Sequence, residues 1–155
     1  MQLEEFENKI KDLWMKPIDE LENPEFIKYC ESFFETNNDI GFFYYKDQIN
    51  FKKFHKKYMR DAESLSFDLE NEIVLIFYDN SHLSGSNKLM LVTNKKIYYS
   101  LSKRRRGEIP LEYIKGKVEI NGWLSHEIVI NGEVLGNIDI YSNWLFSFFG
   151  LPFFK

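Results

Sequence analysis

Residues 88–114, KLMLVTNKKIYYSLSKRRRGEIPLEYI, leave the chain little choice of local structure. Segments 88–92 and 96–101 are rich in β-branched and aromatic residues, the composition of a pleated, packed surface. Thr93, Asn94 and Lys95 separate them, and asparagine tolerates the left-handed backbone angles of a tight hairpin. A loop over 102–108 then carries Lys103, Arg104, Arg105 and Arg106. The short return 109–114 is broken by Pro110, which suits an edge or a strand start. The reading is a scaffold hairpin with an exposed basic tip.

The same period extends on both sides. EIVLIFY (72–78) is a strand, and DNSHLSGSN (79–87) is a break made of turn formers. Downstream, 117–120 leads into Asn121-Gly122 and 127–130 into Asn131-Gly132. Asn-Gly between alternating apolar residues is the strongest short-range hairpin signal. Strands at this spacing with no helix between them predict an antiparallel meander curled into a barrel or sandwich.

The first 66 residues follow a helical period instead. Leu3, Phe6, Ile10 and Leu13 form one apolar stripe, which Pro17 ends. Asn23-Pro24 is a helix start, and Phe26, Ile27, Cys30, Phe33 and Phe34 carry the second stripe until residues 36–39. A third helix begins at Asn50, with Phe51, Phe54, Tyr58 and Ala62 inward. Lys52, Lys53, Lys56, Lys57 and Arg60 cover its other faces. Residues 41–45, GFFYY, fit a strand or an aromatic lid equally. The division expected is 1–66 helical, packed on 67–155. The tail 142–155, SNWLFSFFGLPFFK, reads as a short helix ended by Gly150 and Pro152. It is too apolar all round to hide on one sheet.

Composition bounds the function. The chain is 44% apolar and 17% aromatic with a net charge of −4, which describes a globular protein and not a general polyanion binder. Cys30 is the only cysteine, which excludes an internal disulfide or a cysteine-based zinc cluster. It lies on an apolar stripe, as a buried structural thiol does. His55, His82 and His126 share no ligand spacing. There is no GxSxG elbow and no phosphate-cradling glycine loop. No catalytic residue, metal or cofactor is expected. The acidic N-terminus lacks the features of a signal peptide, and no apolar run approaches the roughly 20 residues of a membrane span, so a cytoplasmic location is expected.

EIVLIFYDNS (72–81), GSNKLMLVTNKKIYYS (85–100) and GEIPLEYIKG (107–116), taken in that order, resemble the bacterial pleckstrin-homology-like (PH-like) domains, GRAM-like and YokE-like members included. The resemblance covers about half the chain. It implies an α+β fold in which N-terminal helices pack on an antiparallel PH-like barrel or sandwich, closed by a short C-terminal helix. Lipid-binding members use basic residues in the loop joining their first two strands, and here that loop (79–87) has no Lys or Arg. The cations sit in the next hairpin.

The expected function is therefore binding of another protein, in the class of immunity or inhibitor proteins that mask a toxin or other partner. Candidate contacts are Lys103, Arg104, Arg105 and Arg106, with Lys52, Lys53, Lys56 and Lys57. Trp144, Phe148, Phe149, Phe153 and Phe154 form a candidate apolar interface, through which a homodimer is a further expectation. The alternative is a peripheral membrane or lipid-sensing module using the basic loop and the tail on an anionic membrane. Nucleic acid is not expected as the main partner, because the chain is acidic overall.

Overall fold

The computed structural model describes residues 1–36, 42–61, 65–79, 88–114, 118–121 and 126–138. Among these residues three α-helices accompany two antiparallel sheets, an α+β arrangement. Helix α1 (Leu3–Trp14) buries Phe6, Ile10 and Leu13 of its predicted stripe. Helix α2 (Pro24–Thr36) starts at Pro24, where the missing N–H would have had no partner anyway. Helix α3 (Phe51–Asp61) is capped by Asn50, whose side-chain oxygen accepts the Lys53 N–H at 3.2 Å.

The larger sheet runs in the order β1 (Phe43–Tyr45), β2 (Val74–Tyr78), β3 (Leu89–Thr93), β4 (Lys96–Ser102) and β5 (Arg105–Pro110). Thus GFFYY supplies an edge strand, and the N-terminal region contributes to the sheet as well as covering it. The second sheet is β6 (Val118–Asn121), β7 (His126–Ile130) and β8 (Glu133–Ile138). Its β7–β8 turn has Asn131 at φ 55° and Gly132 at φ 78°, the two positive values that a type I′ turn requires. Among the described residues the strands form two sheets and no single closed barrel. The closing helix expected at 142–150 lies outside the described residues.

Both faces of the five-stranded sheet are covered. Val74, Phe77, Leu89, Leu91 and Tyr98 pack with Phe6, Ile10, Phe51 and Phe54 of α1 and α3. Tyr78, Met90, Val92, Ile97 and Tyr99 face α2 and the second sheet, meeting Ile27, Phe33, Ile128 and Leu135. Burying a ring such as Phe77 contributes ~2–3 kcal/mol. Tyr98 and Tyr99 point opposite ways, as neighbours on a strand do, and both are buried because both faces of the sheet are covered. In β2 the alternation slips. Val74 pairs with Thr93 and Ile76 with Val92, so Leu75 is an extra residue and shares a face with Ile76.

Two polar networks fix the segments flanking the helices to this frame. The buried Glu72 carboxylate accepts the Tyr98 hydroxyl at 2.7 Å, the Thr93 hydroxyl at 3.0 Å and the Asp68 N–H at 2.8 Å. Burial, then Glu72 itself, pushes the Tyr98 hydroxyl well above its usual range. Asn94 accepts the Ile73 N–H at 2.9 Å and donates to the Glu22 carbonyl at 2.8 Å. Asn23, at φ 55°, donates its amide to the Asn94 carbonyl at 2.7 Å. The α1–α2 connection is thereby bolted to the β3–β4 turn.

Candidate functional site

The basic loop proves shorter than its charge suggests. Only Lys103 and Arg104 form the turn, since Arg105 pairs with Ser102 and Arg106 with Ser100 inside the β4–β5 ladder. Leu101 is left over between those pairs, a bulge that adds twist at the end of the hairpin. Expecting all four cations in a loop was wrong. Arginine stems can lie along a sheet with the charged head at its margin, so four adjacent charges need not break a strand.

Alternation then sends the two strand arginines to opposite faces. Arg106 points to the helical side, with Nη1 3.8 Å from Oδ1 of Asp61. Asp61 is almost fully buried in the last turn of α3, and Arg60 Nε donates to its other oxygen at 3.1 Å. A carboxylate opposes the helix dipole there, and the two guanidinium groups offset that. Arg105 points to the second sheet and donates through Nη1 to the Val134 carbonyl at 3.1 Å.

Asp79 repeats the arrangement further along α3. Lys53 and Lys57 each place Nζ 3.7 Å from one of its oxygens. Lys57, expected on the wet side of α3, is buried: it donates to the Lys88 carbonyl at 2.6 Å and lies 5.5 Å from the centre of the Phe77 ring. Burial pulls its ammonium down to about 8, with the Asp79 carboxylate opposing that fall. Its charge is therefore internal to the frame and not presented to a partner.

The two basic segments, far apart in sequence, thus meet at buried Asp61, between Arg60 of α3 and Arg106 of β5. Lys52 and Lys56 remain exposed on α3, and Lys103 and Arg104 at the tip. Beside the tip, where the sheets part, lies a cleft of about 370 Å³ lined in part by Lys88, Ser102, Arg105 and Asn137. Lys88 reaches across it to the Asn137 carbonyl at 2.6 Å. Next to it Gly136, at φ 138°, lets β8 approach β4: a Cβ there would stand 2.7 Å from that of Leu101. Lys88, Lys103, Arg104 and Arg105 make no ion pair among the described residues. By contrast Lys9, Lys11, Lys28, Lys95 and Lys96 all do.

Sequence reasoning missed Asp61, Asp79 and Lys88. Asp61 interrupts the basic run of α3 at its end, and Asp79 directly follows an apolar strand; each position is a signal that a carboxylate stands at a boundary. The tail residues Trp144, Phe148, Phe149, Phe153 and Phe154 lie outside the described residues. No set of three or more His, Cys, Asp or Glu side chains is placed to hold a metal ion among the described residues. Cys30 is buried, which pushes its thiol far up. No helix among the described residues is long and apolar enough to cross a membrane.

No protein-family model, curated protein or solved structure matches this chain.

Proposed function

We propose that this chain is a non-enzymatic binding protein whose basic β5 edge docks on an acidic surface of another protein, as an immunity or inhibitor protein does when it masks a toxin. One observation carries the reading: the buried Asp61 carboxylate holds Arg60 of α3 and Arg106 of β5, and so fixes α3 and β5 in one charged edge. Cations held in place before binding lose less side-chain freedom on contact. Lys103 and Arg104, without counter-ions among the described residues, supply long-range attraction that speeds encounter with an acidic partner. On this reading the two sheets are the halves of a PH-like sandwich, and residues 142–150 form the helix that closes it.

A second reading is favoured by the exposure of that same tip. Cations at an anionic bilayer contribute on the order of 1 kcal/mol each, and an apolar tail would add the second anchor that stable attachment needs. Sedimentation with phosphatidylserine vesicles separates the two. The protein-binding reading expects the chain to stay in the supernatant at moderate salt while still recovering one partner in stoichiometric amount. Sedimentation with vesicles and no recovered partner would replace it with the membrane reading.

A further inference from the structure

The cleft beside the basic tip has chemistry of its own. Lys88 enters from the start of β3 and Arg105 from the start of β5, and each uses one N–H on a carbonyl of β8. Their remaining N–H groups find no acceptor among the described residues. The carbonyls that hold them belong to Asn137 and Val134, on either side of the bulge at Leu135. The two cations line one cleft of about 370 Å³. The Ser102 hydroxyl and the Asn137 side chain, also in the wall, are neutral hydrogen-bond formers.

Charge narrows the choice of anion. Glu127 is the one carboxylate in the described lining, and it is not within ion-pair distance of either cation. Two cations against one carboxylate leave the described lining singly positive. That balance suits a monoanion better than a phosphate dianion, which Glu127 would repel. Leu101 and Gly136 close one side of the cleft, where β8 approaches β4.

We infer that this cleft is a subsite for a single carboxylate side chain, an Asp or Glu presented by the partner protein. The inference rests on the protein-binding reading and sharpens it: Lys103 and Arg104 attract, while Lys88 and Arg105 hold. Contact through the tip alone would leave the reading standing and this inference without support.

Hexaglutamate serves as the probe, followed by amide shifts in the ¹H–¹⁵N spectrum of the full chain, with hexaglutamine and inorganic phosphate as comparisons. The expected result is saturable shifts centred on Ser102, Gly136 and Asn137 with hexaglutamate and none with hexaglutamine. The Lys88→Met variant should bind about tenfold more weakly, and Lys88→Arg should restore most of the loss. Should Lys88→Met fail to fold, the wild-type shift map decides alone. Shifts confined to Lys103 and Arg104 overturn the subsite and spare the basic edge. Absence of any shift overturns both. Phosphate binding as tightly as hexaglutamate overturns the carboxylate assignment.

Discussion

The five-stranded sheet ends in two edges of opposite charge. At the β1 edge, Glu31, Glu35 and Asp47 surround a cavity of about 270 Å³ whose wall includes Phe34 and Tyr45, stacked with centroids 5.1 Å apart. At the β5 edge stand Arg105, Arg106 and the tip. The acidic edge makes no ion pair among the described residues, and its carboxylates ride on exposed or half-exposed positions. The basic edge is tied down, through buried Asp61 and the Val134 carbonyl of β8. Solvated charge needs no scaffold, whereas charge fixed by buried partners has been positioned. On the proposed protein-binding reading the β5 edge is the binding face, and the opposite edge adds to a field along the sheet that would turn the molecule toward an acidic partner.

Removing a buried anchor should break the contrast most. Asp61→Ala is expected to cost about 3 kcal/mol in urea unfolding, since it takes away a carboxylate that two cations share. Glu35→Gln at the other edge should change stability by less than about 0.5 kcal/mol. Equal costs would mean that the two edges are built alike.

The next effect is a difference in sign with pH. Lys57 sits near 8 in the folded chain against an ordinary 10.5, so between those values the unfolded chain binds more protons and stability rises with pH. The cost of burying its charge is present in full below pH 8 and gone above 10.5. The stability of the wild type minus that of Lys57→Met should be flat below pH 8 and climb by about 2 kcal/mol toward pH 10. Near the acidic edge the sign reverses. Burial holds the Cys30 thiol and the Tyr45 hydroxyl up, so their contribution is lost as pH rises past the ordinary values of 9.0 and 10.0. Tyr45→Phe should therefore reduce the loss of stability above pH 10.0. A flat Lys57 difference, or a Tyr45→Phe profile identical to wild type, would remove the distinction.

The smallest effect on folding is expected where binding depends most on charge. Lys103→Glu with Arg104→Glu should shift stability by less than about 0.5 kcal/mol, because neither side chain has a partner to lose. Circular dichroism melts would check that.

Much of the fold was legible, and the reason is local chemistry. The apolar stripe of α1, the Asn131-Gly132 turn and the β3–β4 hairpin each depend on neighbours in sequence. What escaped depends on what covers a surface. Period told which way Tyr98 and Tyr99 point, but only the α1–α3 layer on one side and the second sheet on the other bury both. Lys57 looked like a solvated cation because nothing local announces Asp79 and the Lys88 carbonyl above it. Arg105 and Arg106 looked like loop because their partners, Val134 and Asp61, are distant in the chain. The basic residues of the site were visible one by one; their convergence was not.

The most direct test of the basic edge recovers crosslinked partner from the source cell with wild type and with the Lys103→Glu, Arg104→Glu chain side by side. The account predicts one acidic partner in stoichiometric amount with the wild type and at least about tenfold less with the charge-reversed chain. Equal recovery by the two chains would contradict it.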